Sequence, residues 1–394
     1  MLTVTAPGFT DFASLQSIET LREHRDASTL GAALHELLGH CPRLPLPGKG
    51  DTLERWRSLQ AVAALDLTLA KLAEPHWDAL AILDDCLPGG SALVMQALEL
   101  NRSQYARNMP AQAKAAQGTV AHLAPTDMEH ASLPAIWAVW AAEPPSARLT
   151  GMRTSSSLHH FEHTVRLRGR KAWCSGADLA THALVTYWNE AGESCLAAVD
   201  MNGPGVNRTN DGWHAVGMDA SASYDVIFKD AIGIPVGHPG AYLRRPGFWH
   251  GGMGIAACWS GGALALGQRV AEGMKAKRDP HGMAHLGAID VALSQLMALM
   301  RATALWVDVF PQQDAQWQAT RLRAAAEQCA TTVLDHAGRA LGASPLCREP
   351  AFARLFADLP VFIRQSHAER DLAALGEITA GSERSFGEGG AWVL

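Results

Sequence analysis

The hydrophobic period of this chain changes twice, and that double change limits its possible folds more than any other feature. From residue 9 to about 107 the spacing is helical, with Trp56, Leu59, Val62, Leu65, Leu69 and Leu72 recurring at three- and four-residue intervals. Between residues 116 and 237 the period shortens to two. Residues 164–168 alternate, 196–199 form a short apolar run, and 224–228 alternate again, with turn signals at Asn202-Gly203-Pro204-Gly205 and Asp211-Gly212. After Pro246 the helical period returns and persists to about Leu375, with Pro280 and Pro311 as boundaries. Pro42, Pro45, Pro47, Gly48 and Gly50 divide the first helical region into an early helix pair and a later bundle. Asp51 or Thr52 is expected to cap the helix that follows, with Glu54 in its first turn. The reading is α+β: an N-terminal helical domain (1–130), a central β-domain (131–237) and a C-terminal helical bundle (238–394).

Composition narrows the function classes. The 394 residues suffice for two or three domains with substantial cores, and 48% are apolar. A net charge of −6, with no Lys/Arg cluster, argues against nucleic-acid binding. The segment MLTVTAPGFTDFASL lacks a basic region followed by an apolar run, so no secretory signal is expected. No uninterrupted apolar stretch reaches about 18 residues, so no membrane insertion is expected. Residues 251–266 are dominated by Gly and Ala, which suits close helix packing. Seven scattered cysteines without a CxxC pair point to reduced thiols and a cytoplasmic protein.

Residues 171–188 (KAWCSGADLATHALVTYW) carry the first hint of a site. Trp173 is expected to open a short strand, Cys174-Ser175-Gly176-Ala177 to turn, and 183–187 to form a buried strand. An aromatic ring beside a hydroxyl and a tight turn suits a flat heterocycle: the rings stack, and the hydroxyl and free backbone groups bond its polar edge. An ordinary core Trp before a turn fits the same residues.

Together with the helix–sheet–helix order, several ordered segments resemble the acyl-CoA dehydrogenase superfamily of flavoproteins, over nearly the whole chain. Ala142-Glu143-Pro144 resembles the family's Thr-Glu-Pro, and Trp173 with Ser175 resembles the Trp and Thr/Ser that pack against and bond the flavin ring. Gly217-Met218 followed by Ser223-Tyr224-Asp225-Val226-Ile227-Phe228 resembles the Gly-Met-Arg strand closing the β-domain. Lys277-Arg278 with His281-Gly282 resembles an Arg-x-x-Phe-Gly segment whose Arg reaches FAD across a subunit interface. The resemblance implies FAD as cofactor, Trp173, Ser175, Ala142 and Arg278 as its contacts, an acyl-CoA or carrier-bound small substrate, and a homodimer or homotetramer. The chain has no GxGxxG after a strand, so a Rossmann site is not expected. The family's Gly-Gly-x-Gly is only echoed by GRALG at 338–342.

Departures from the pattern matter equally. Ala142 removes a hydroxyl, Pro145-Ser146-Ala147-Arg148-Leu149 replaces a Gly-rich anion-binding loop in which Arg148 is a possible substitute, and Asp219 replaces an Arg. Removing an acyl α-proton needs a carboxylate in an apolar pocket. By resemblance that position falls on Ser366, with His367 adjacent, and a second family position near Ala265 also lacks an acid. His367 is the substitute base, and His250, before two glycines, is a second candidate. His281 and His285 stand four apart with no third ligand, and His159, His160 and His163 suit a loop, so no metal is assigned. Three readings remain open: an FAD-dependent oxidoreductase acting on a small acyl thioester without the usual Glu, a flavin monooxygenase on the same scaffold, and a non-catalytic thioester- or partner-binding descendant.

Overall fold

The computed structural model describes residues 12–23, 25–87, 89–108, 135–155 and 161–381. The 130/131 domain boundary and His159 and His160 lie outside them. Among the described residues five α-helices precede the sheet: α1 (Gln16–Glu23), α2 (Ala27–His40), α3 (Thr52–Leu65), α4 (Leu67–Cys86) and α5 (Gly90–Asn108). Helix α4 is buried over most of its length, Glu74 and His76 included. Local sequence does not cap α3. Asp51 occupies the N-cap position without a side-chain bond. Instead Asp308, far along the chain, accepts from Gly50 N at 3.1 Å, Thr52 N at 3.1 Å and Thr52 Oγ1 at 2.5 Å. A carboxylate from another helix thus satisfies donors that the helix start leaves open.

The central strands are β1 (Trp137–Trp140), β2 (Leu149–Arg153), β3 (Val165–Cys174), β4 (His182–Trp188), β5 (Ser194–Asp200), β6 (Val206–Arg208) and β7 (Tyr224–Pro235). The order β4-β2-β3-β7-β5 closes on itself because β5 also pairs with β4, giving a small barrel. Strand β1 adds parallel to β4, and β6 lies against β7. Leu167, Val185, Tyr187, Ala197, Val226 and Phe228 pack inside. The outer faces of β4 and β5 present Leu184, Leu196 and Ala198 to Ile82, Leu83, Val94 and Leu98 of α4 and α5. Burial on both faces explains why these strands read as unbroken apolar runs rather than alternating ones.

The chain then returns to helix: α6 (Ala241–Arg244), α7 (Gly247–Ala276), α8 (Pro280–Val309), α9 (Gln316–Leu341), α10 (Ala343–Arg348), α11 (Pro350–Phe362) and α12 (Glu369–Ala380), with a 3-10 turn at Ile363–Gln365. Helix α7 packs against α3, α4, α8 and α9, and the closeness expected of its Gly/Ala content is real. A Cβ at Gly261 would stand 2.3 Å from Gln60 O of α3. Asp279 caps α8 by accepting from Gly282 N at 2.8 Å, with Pro280 in the first turn. Helix α8 is long and apolar enough to cross a membrane by length and composition. Its stripe of Ile289, Leu296, Met300, Ala304 and Val307 is buried in the bundle, which accounts for part of that character.

Candidate active site

A cavity of about 570 Å³ opens where the barrel, α4 and the end of α11 meet. Its barrel wall is built by a defect in strand pairing. The β3–β7 register breaks between Lys171 and Cys174, and there Trp173 adopts φ 55°, the left-handed region that non-glycine residues avoid. Trp173 therefore closes β3 instead of opening a strand: the alternation beginning at Val165 runs through Lys171, and the bulge then turns the indole outward. Trp173 is 54% exposed and lines the cavity. The next turn needs Gly176 (φ 72°), whose missing Cβ lets it approach Leu72 of α4; a Cβ would lie 2.9 Å from Leu72 Cδ2.

Ser175 begins a row of hydroxyls. Its Oγ lies 2.8 Å from Ser223 Oγ, which lies 2.8 Å from Ser221 Oγ, and all three residues line the cavity. Two mutual bonds consume two of three hydroxyl protons, leaving one proton and spare lone pairs for a ligand. Trp140 Nε1 fixes the turn by donating to Ser175 O at 3.1 Å. The sequence reading quoted Ser223 only as part of a strand and did not name Ser221, because both reach Ser175 only where the chain entering β7 meets β3.

The floor is the chain leaving β1, from Val139 to Ala142. Ala142 does reach the cavity, and it offers no hydroxyl. The neighbouring Glu143 is committed elsewhere. It accepts from Thr186 Oγ1 at 2.6 Å, from buried Lys171 Nζ at 3.2 Å and from Trp188 Nε1. Burial alone would raise its carboxyl, but Thr186, Lys171 and Trp188 hold it below the usual range. Arg148, a possible anion contact, instead stacks its guanidinium 3.9 Å from the Trp188 ring centre.

Gly217 and Met218 explain their own pairing. Gly217 meets α11 so closely that a Cβ would stand 2.0 Å from Ala357 O. Met218 N donates to Asp358 Oδ1 at 2.6 Å, and Asp358 also takes Arg25 Nη1 at 3.1 Å. One buried carboxylate thereby ties all three parts of the chain together beside the cavity.

The helical side is formed by Lys71 and Pro75 of α4 and by Val361, Phe362, Arg364, Gln365 and His367. His367 stands at the mouth, largely exposed, its Nδ1 3.2 Å from Asp371 Oδ1. Ser366 is not part of the lining: its hydroxyl bonds Glu327, and Ala368 N donates to it at 2.9 Å. Arg278 is exposed on the link between α7 and α8 and also lies outside the lining. His250 is buried in α7, away from the cavity, with burial lowering its imidazole and Nε2 lacking a partner. His285 Nδ1 lies 2.8 Å from His336 Nδ1 on the facing helix.

Lys71 escaped the sequence reading. It lies in α4, half-buried and lining the cavity, and desolvation lowers its ammonium from the ordinary value. Its Nζ stands 5.7 Å from the Phe362 ring centre. One turn on, burial and then the Asp78 charge push Glu74 up to about 7. The available signal was a Lys and a Glu three apart inside LTLAKLAEPHWDAL, a largely apolar helix that also carries His76 and Asp78. Pro75 has no N–H to give the Lys71 carbonyl, so a backbone acceptor is freed on the same helix turn.

No protein-family model matches the chain, and no curated sequence matches it significantly. Solved structures do match. The dibenzothiophene monooxygenase TdsC from Paenibacillus sp. A11-2, solved with FMN and indole, superposes with TM-score 0.64 at 16% identity, covering 93% of this chain and 96% of that one. KijD3, in complex with FMN and a dTDP-amino-keto sugar, gives TM-score 0.67 at 16% identity over 94% and 93%. Glutaryl-CoA dehydrogenase from Mycobacterium smegmatis gives 0.66 at 15% identity over 96% and 94%. At these identities the likeness establishes architecture, and the chain has the acyl-CoA dehydrogenase-like fold.

Proposed function

We propose that the protein is a flavin-dependent oxidoreductase that oxygenates a small organic substrate, with FAD or FMN as cofactor. One observation carries this reading. A wall of exposed indole and linked hydroxyls faces a helical wall bearing His367 and Lys71, with no carboxylate among the described lining residues. The residues fit a flavin: Trp173 presents a ring face held out by strained backbone, and Ser175 offers a hydroxyl at its edge. The volume lies in the range of small-molecule sites, roughly 300–1,000 Å³. Ala142 supplies one polar contact fewer.

Bound flavin would supply two-electron chemistry, exchanging a hydride with substrate or, once reduced, passing electrons to oxygen. The chain's own part is to orient and to manage protons. Asp371 faces His367 Nδ1, which leaves Nε2 as the exchanging nitrogen at the mouth. Dehydrogenation of an acyl thioester asks for a carboxylate in the pocket, and the described lining supplies none. Arg278 and the homodimer or homotetramer belong to the same proposal: in such an assembly the exposed guanidinium would serve the cofactor phosphates of a second subunit. Visible spectra before and after incubation with FAD or FMN, following desalting, test cofactor retention. Oxygen uptake by chemically reduced, flavin-loaded protein with a substrate panel then tests oxygenation. Anaerobic bleaching by acyl-CoA instead would replace oxygenation with dehydrogenation, and no retained flavin would overturn both.

A further inference from the structure

We propose that Lys71 is a binding residue for a carboxylate-bearing substrate, its ammonium anchoring the anionic group at the α4 side of the cavity. This rests on reading the cavity as the site of a flavin enzyme and adds the charge of its substrate.

Three basic side chains line the cavity, and two of them are already matched. Arg364 pairs with Glu327, and His367 pairs with Asp371. Lys71 has neither a hydrogen bond nor an ion pair among the described residues, although it sits on a nearly wholly buried helix. Isolated ammonium groups are expensive to keep from water without an oxygen partner. The Phe362 ring gives only a cation–π contact at 5.7 Å, and Glu74 lies a helical turn along the same helix. Cys258 of α7 and Arg323 of α9 are the other ionisable groups that act on Lys71. Arg323 itself is occupied, donating to Gly252 O at 2.9 Å and Gln365 O at 3.1 Å. The cavity thus offers one unmatched cation in a lining free of described carboxylates, the arrangement that selects an anion over its neutral isostere.

Benzoate and benzamide, nearly equal in shape, are the probes. Trp140, Trp173 and Trp213 line the cavity, so tryptophan fluorescence reports binding with or without flavin. Wild type should bind benzoate at least about tenfold more tightly than benzamide, the size of one charge-assisted contact. Lys71→Met should abolish the preference, and Lys71→Arg should keep most of it, both with unchanged flavin affinity. Equal binding of the two probes by wild type would overturn the inference without any variant having to fold. Persistence of the preference in Lys71→Met would also overturn it. A loss of flavin affinity in that variant would assign Lys71 to the cofactor phosphate and overturn it too. A benzoate preference in protein that retains no flavin would support the anchor while removing the oxidoreductase reading.

Discussion

Replacing Trp173 by Ala and by Gly separates two roles that the structure gives one residue. At φ 55° a side chain strains the backbone, by about 1–2 kcal/mol. At ordinary positions Gly is less stable than Ala by roughly 0.5–1 kcal/mol. Here the order should invert, with Trp173→Gly more stable than Trp173→Ala by about 1 kcal/mol. Trp173 is 54% exposed, so its removal takes away less packing than loss of a core Trp would. Stacking on a flat heterocycle is worth about 1–3 kcal/mol, so both variants should lose roughly 5- to 150-fold in flavin affinity. Thermal unfolding of flavin-free protein reads the first effect, since bound ligand would mask it. Titration with FMN and FAD reads the second. A Gly variant less stable than the Ala variant would refute the strain argument. Wild-type flavin affinity in both would refute the platform.

Other consequences can be checked in the same assays. Gly217→Ala places a methyl against Ala357 O and should destabilise by about 1–3 kcal/mol or more, whereas Gly287→Ala, with open space at its Cβ, should raise Tm slightly. Ser175→Ala removes one link of the hydroxyl row and should weaken flavin binding by about 1 kcal/mol, roughly fivefold. Glu74 titrates near 7 in the fold and near 4.5 when unfolded, so between those values the folded state holds the extra proton. Its contribution to stability therefore falls as pH rises from about 4.5 to 7. Glu74→Gln removes that loss, and the Tm difference from wild type should be larger at pH 8 than at pH 5; a difference that shrinks with pH would contradict the raised carboxyl.

The change of period between residues 107 and 246 made the three-part order legible, because burial stripes are written directly in residue spacing. Trp173, Ser175, Ala142 and His367 all line one cavity, and it was the family resemblance of their segments that named them. What stayed hidden depends on contacts between distant segments. Ser221 and Ser223 join Ser175 only through the β3–β7 pairing, and Ser366 turns to Glu327, a partner 39 residues earlier. Lys71 was hidden for another reason: helical spacing places α4 correctly but does not say which turn of a buried helix opens onto empty space.

The cap on α3 sets an order for biosynthesis. The carboxylate that completes the start of this helix is encoded 256 residues after it. While the ribosome is still making the barrel, the N-terminal helices have emerged without Asp308, and α3 begins with open amides. They acquire their finished form only when α8 docks, and the cavity gains its helical side later still, when α11 arrives. A fragment ending after the barrel would therefore carry the indole and hydroxyls yet neither the Asp308 cap on α3 nor the helical wall of the cavity.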